Sequence, residues 1–220
     1  METKNRSLAG NSPALVPIRE IGPRYREQFL RHLLALDEHD RYLRFGYTAT
    51  DRQIAKYVEG VDFERDQVFG IFNRRLELIA VAHLANPEDF QRCGYSEFGV
   101  SVSKHARGRG YGSRLFERAA IHAVNDGVRM LYVHALSENA PMIRIARKAG
   151  ATVEREGSES ECYLKLPVAS LETRLNELVS GQFGQIDYWL KSEFSQMRDL
   201  LGFMQQVRSG VQDARHKAGS

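Results

Sequence analysis

Tyr95-Ser96-Glu97-Phe98-Gly99-Val100-Ser101-Val102-Ser103, the turn Arg107-Gly108-Arg109-Gly110-Tyr111-Gly112, and Ser113-Arg114-Leu115-Phe116-Glu117-Arg118-Ala119-Ala120 together decide the fold. The first segment alternates apolar and polar residues and predicts a strand; the third reads as a helix. A strand, a glycine-rich turn and a helix N-terminus make an anion-binding device. Unpaired N–H groups and the positive end of the helix dipole converge there, and glycines let a phosphate approach closely. The expected guest is a phosphorylated cofactor. A dinucleotide fingerprint would need glycine at position 113, which is Ser113, and would follow a first buried strand rather than a hairpin. The bland alternative is an arginine–glycine surface turn that only caps a helix.

The pattern outside this stretch is mixed α/β. Upstream, a first strand is expected over 14–18, a helix over 24–36, and a second helix over 48–59 entered through Thr50 or Asp51. Runs 67–72 and 76–84 flank Asn73-Arg74-Arg75 and predict a hairpin. Downstream come a strand near 129–136, a helix near 139–148 stopped at Gly150, and a last hairpin of 151–156 with 162–166. The organisation expected is a tail over 1–12, a domain over 13–168 and a helical extension over 169–220. In that extension Phe183, Ile186, Leu190, Phe194, Met197, Leu201 and Met204 recur every three or four residues. Such a stripe covers a groove on the domain or pairs two copies as a homodimer.

The chain has 220 residues and a formal net charge of +3, from 31 basic and 28 acidic side chains. That small excess argues against a dedicated nucleic-acid binder, although Arg107 and Arg109 leave an RNA-binding turn as a weak alternative. No apolar run is long enough for a bilayer, so no membrane partner is expected. Cys93, Cys162 and seven histidines show no metal spacing. Few cysteines and no signal segment make the cytoplasm the expected compartment.

Arg107, Gly110 and Gly112 fill Arg/Gln-x-x-Gly-x-Gly/Ala, and Asn139, Lys148 and Gly150 fill a second pattern of an Asn opening the next helix with Lys-x-Gly near its end. On these residues the chain resembles the GNAT superfamily of acyl-CoA N-acyltransferases over roughly 14–167. Arg41-Tyr42-Leu43-Arg44-Phe45, Val61-Asp62-Phe63-Glu64-Arg65 and Ser96-Glu97-Phe98-Gly99-Val100 are similar to segments of Pat-type protein-lysine acetyltransferase domains. The resemblance implies a mixed, mostly antiparallel sheet with splayed central strands and flanking helices. It also implies acetyl-CoA as acyl donor, with pantetheine along Val100, Ser101 and Val102. The phosphates would lie at Arg107, Gly108, Arg109, Gly110, Tyr111, Gly112 and Ser113, with Asn139 nearby.

Acyl transfer to an amine needs a base, because freeing a lysine-like amine of its proton at neutral pH costs about 4–5 kcal/mol. Glu97 is the first candidate: it falls where Pat-like domains carry a Glu, on the strand face opposite Phe98, Val100 and Val102. His134, five residues before Asn139, is the second. Glu154, Glu156, Glu159 and Glu161 could attract a cationic amine. Many GNAT enzymes carry a tyrosine acid where this chain has Ala146, and an aromatic where it has Ala151. An amine acceptor of unknown identity is therefore expected. A non-catalytic acetyl-CoA sensor or assembly module is the alternative.

Overall fold

The computed structural model describes residues 17–89, 94–157 and 159–169. In chain order the elements are β1 (Arg19–Glu20), α1 (Arg26–Leu34), α2 (Glu38–Phe45), α3 (Asp51–Glu59), β2 (Gln67–Phe72), β3 (Leu78–Ala85), β4 (Tyr95–Val102), α4 (Tyr111–Asn125), β5 (Met130–Leu136), α5 (Ala140–Lys148), β6 (Thr152–Glu156) and β7 (Glu159–Lys165). The strands form one sheet in the order β1-β2-β3-β4-β5-β7-β6. Every neighbouring pair is antiparallel except β4 and β5.

That parallel pair is short. It joins Tyr95 to Met130, Ser96 to Leu131 and Glu97 to Tyr132, and no further. β4 stays paired with β3 as far as Val102, and β5 stays paired with β7 as far as Leu136. Past Glu97 and Tyr132 the two facing edges diverge. Backbone groups of β4 on that side have no strand to bond, which a buried sheet centre does not normally tolerate.

Helices cover both faces. On one, Phe116 of α4 meets Phe98 of β4 edge-on at 4.9 Å between ring centroids, in a core that includes Ala146, Val133 and Cys162. On the other, Phe29, Leu33, Ile54 and Val58 from α1 and α3 pack on Val68 and Val81. Strand alternation sends Glu97, Gly99 and Ser101 toward this second face. Buried His32 locks Ser101 there: its Nδ1–H donates to the Leu78 carbonyl and its Nε2 accepts from the Ser101 hydroxyl, both at 2.9 Å. Burial holds the His32 pKa below its usual value.

Three local features differ from the sequence expectation. Helix α2 was not read at all, because Tyr42, Leu43 and Phe45 are too few for an apolar stripe. Its signals are the Asp37 side chain capping the Asp40 N–H and the left-handed Gly46 that ends it. It packs against both β4 and β5. The first strand is two residues, Arg19–Glu20, rather than 14–18, of which 14–16 lie outside the described residues. The last strand begins at Glu159 instead of 162, because the pairing of the hairpin extends to Glu156 with Glu159. The tail over 1–12, Cys93 and the stripe over 183–204 also lie outside the described residues.

A buried polar thread crosses the sheet. The Tyr57 hydroxyl donates to His83 Nδ1 at 2.6 Å, and His83 Nε2–H donates to Asp66 at 3.1 Å. Asp66 also accepts the Asn86 N–H at 3.1 Å, and the Asn86 carboxamide accepts from the Ser96 hydroxyl. The imidazole tautomer follows from its partners: the nitrogen facing a carboxylate carries the proton. Burial pushes the Asp66 carboxyl up, but the His83 and Asn86 hydrogen bonds outweigh it and hold the group below the usual carboxylate range. A depressed folded pKa means stability that is present above the unfolded value of about 3.9 and is lost as pH falls through the folded value. Asp66→Asn is therefore expected to lose about 1–3 kcal/mol at pH 7, with the deficit shrinking below about pH 4. Thermal melts from pH 3 to 7 check this, and a pH-independent deficit would contradict it.

Candidate active site

Gly108 and Gly110 both have φ of +75°, the left-handed region that strains any L side chain. They turn the chain from β4 into α4. The turn is clamped to α2 by charge: Arg107 reaches Asp40 at 2.6 Å and donates through Nε to the Val102 carbonyl at 3.1 Å. Lys104 pairs with Asp37, the cap of α2, and this partner holds the Asp37 carboxyl below its usual range. The backbone N–H groups of residues 108–113 have no backbone acceptor among the described residues, and the Arg114 N–H to Gly110 is the first helical bond of α4. They remain available to an anion.

Beside them lies a cavity of about 480 Å³. Val100, Ser101, Val102, Arg107, Gly108, Gly110, Tyr111, Gly112, Ser113 and Asn139 all line it; Arg109, the remaining member of the expected cofactor set, is exposed and does not. Gly112 is small for a reason, since a Cβ there would come within 3.0 Å of Ile145 on α5. Asn139 caps α5 by accepting the Met142 N–H at 3.2 Å, and its Nδ2 donates to the Leu43 carbonyl of α2, also at 3.2 Å. Its carboxamide thus ties α2 to α5 across the gap between the strands. Position-by-position reading, which marked Asn139 as a ligand contact, held no signal for that bridge.

A second cleft of about 700 Å³ opens on the α2–α3 side. It shares Leu43, Arg44, Val100, Asn139 and Met142 with the first, so the two meet where β4 and β5 part. Glu97 and His134 line this second cleft and both are exposed. Glu97 is the last β4 residue paired with β5. His134 stacks on Tyr132 with ring planes 8° apart and lies opposite Glu161 on β7. Glu154 and Glu161 line the same cleft. The Tyr163 phenol donates to Glu154 at 2.6 Å, and this bond holds its pKa above the usual value. Ala146, by contrast, is fully buried in the α4–α5 core.

In the sequence Arg44 belongs to a segment similar to Pat-type domains, where a structural role at a helix junction and an acceptor-side role both stay open. Its guanidinium lies directly over Gly99, where a Cβ would sit 2.5–2.8 Å from three of its atoms. It donates to the Tyr57 hydroxyl at 2.8 Å and lies 5.1 and 5.4 Å from the Phe45 and Tyr57 ring centroids. The signal available in the sequence was an arginine next to an aromatic residue, Phe45, and a glycine inside a strand.

No helix among the described residues is long and apolar enough to cross a membrane, and none of them form a cluster suited to a metal ion. A family model for the acetyltransferase (GNAT) domain matches residues 17–152. Among solved structures, the GNAT domain of S. lividans PAT is 23% identical, with a TM-score of 0.59 over 68% of this chain and 89% of that one. A GNAT-family acetyltransferase from Streptococcus pneumoniae is 14% identical, with a TM-score of 0.55 over 68% of this chain and 98% of that one. One from Staphylococcus aureus Mu50 is 13% identical, with a TM-score of 0.56 over 69% and 99%. These likenesses speak to the fold. The family match extends over more than half of the sequence, and the chain belongs to the acetyltransferase (GNAT) domain family.

Proposed function

We propose that this protein transfers an acetyl group from acetyl-CoA to a primary amine by direct attack of the amine on the thioester. One observation carries the reading: an anion-ready turn and an acid-bearing cleft open into each other at the gap between β4 and β5. A long, slender donor with phosphates at one end suits the smaller cavity, which the turn borders. Its phosphates would meet the free amides of residues 108–113, and its arm would pair with the unpaired edge of Val100–Val102 as an added strand. The thioester would then reach the fork, beside Glu97.

Glu97 takes the amine's proton, directly or through a water, as the nitrogen attacks. Glu154 and Glu161 give the acceptor end a negative lining, which favours a cationic amine such as a lysine side chain. His134 faces the same cleft and is a second candidate to carry a proton there.

Free CoA release with a panel of diamines, lysine peptides and N-terminal peptides tests the activity; no acceptor-dependent CoA from any of them would overturn it. Glu97→Gln is expected to lower kcat about 100-fold or more while acetyl-CoA affinity stays within about twofold, and wild-type turnover in that variant rejects the role. His134→Ala is expected to keep the shape of the wild-type pH–rate profile; loss of its neutral limb would move the base from Glu97 to His134. Asp40→Asn releases the Arg107 clamp and is expected to weaken acetyl-CoA binding about fivefold, equivalent to about 1 kcal/mol of lost preorganisation, as read by calorimetry.

A further inference from the structure

We infer that Arg44 is the electrophilic residue of the reaction, the donor that holds the negative charge developing on the thioester carbonyl oxygen. The inference rests on the acetyl-transfer reading above. Its grounds are separate from those that select Glu97.

Arg44 lines both cavities, and so stands where the donor's channel opens into the acceptor cleft. Its guanidinium is partly buried and has no carboxylate within ion-pair distance among the described residues, whereas the nearby Arg41 and Arg107 both have one. A shielded cation without a counter-ion is costly unless something anionic meets it during function. Gly99 provides its seat on β4, two residues past the last β4–β5 pairing. Any side chain at 99 would force the guanidinium out of the gap.

Position is maintained from behind. One Arg44 nitrogen donates to the Tyr57 oxygen, and Tyr57 donates onward to His83 and through it to Asp66. Because a guanidinium can only donate, the Tyr57 oxygen accepts from Arg44 and its own proton is directed to His83. The Phe45 and Tyr57 rings bracket the guanidinium. A planar donor locked this way needs little reorganisation as charge appears. Tyr57, His83 and Asp66 are positioning residues that act through Arg44.

The step balances. The amine nitrogen gives one proton to Glu97 and forms the C–N bond, and the carbonyl π pair moves onto oxygen beside Arg44. Re-formation of the C=O breaks the C–S bond, the sulfur leaves with the pair, and the thiolate takes a proton from solvent. Position 146 is a core alanine and supplies no acid; a thiol with a reference pKa of about 8.5 is a fair leaving group that solvent can protonate.

Two measurements test this on the full chain. In the first, the carbonyl stretch of bound carbonyl-13C acetyl-CoA is recorded by isotope-edited infrared spectroscopy, with no acceptor present. Wild type is expected to lower the frequency relative to Arg44→Ala and Arg44→Lys, with Tyr57→Phe between. An identical stretch in all four proteins overturns the inference. In the second, Arg44→Ala is expected to lower kcat about 100-fold with little change in acetyl-CoA affinity. Added guanidinium chloride should restore part of that rate, and equal ammonium chloride should not. A rise in acceptor KM at unchanged kcat would instead make Arg44 an acceptor-binding residue and overturn the proposal. If Arg44→Ala fails to fold by its thermal melt, the Arg44→Lys and Tyr57→Phe spectra decide. A wild type that binds acetyl-CoA with a lowered stretch yet releases no CoA with any amine would sink the transfer reading and leave the carbonyl contact standing.

Discussion

The parting of β4 from β5 after Glu97 and Tyr132 is the constraint on which the rest of the molecule depends. A parallel pair that stopped bonding in the middle of a sheet would leave buried donors and acceptors unsatisfied. The fold meets this by keeping each strand bonded on its outer edge, β4 to β3 and β5 to β7, while the inner edges face cavities. The gap is therefore a built feature, and what borders it has the purpose of holding it open.

Three ties do that holding, and all involve α2. Asp37 and Asp40 at its start fix the glycine turn through Lys104 and Arg107. Leu43 accepts from Asn139 at the start of α5. Arg44 near its end lies on Gly99 and is steadied by Tyr57. One eight-residue helix thus touches the turn, the strand and the opposite helix, and sets the width of the channel between them. The exposed Lys104–Asp37 pair is worth little as bulk stability, whereas Arg107 meets a buried Asp40. Their value is in direction, since they leave the amides of 108–113 uncommitted.

Much of this was legible in the chain. The alternation of 95–103, the glycines at 108, 110 and 112, and the Asn139 segment carried the strand, the turn and the family. They did so because each encodes a backbone requirement that few residue types satisfy. Helix α2 was missed because it is held by capping and polar ties rather than by an apolar stripe, and periodicity registers only the stripe. The pairing of Asn139 with Leu43 joins residues 96 positions apart, and that of Arg44 with Gly99 joins residues 55 apart. Neither leaves a local pattern. Glu97 and His134 were chosen for residue type and for position relative to the family's motifs, and that they line one cleft is a consequence of sheet order, in which β4 and β5 are neighbours although a helix separates them in sequence.

The most direct test of the account is a crystal structure of the full chain with acetyl-CoA. The account predicts pyrophosphate density at the amides of 108–113, the pantetheine arm along Val100–Val102 as an added strand, and the thioester carbonyl at the fork within hydrogen-bond reach of Arg44. A donor bound elsewhere on the molecule, or a gap closed by continued β4–β5 pairing with no donor in it, would contradict the account.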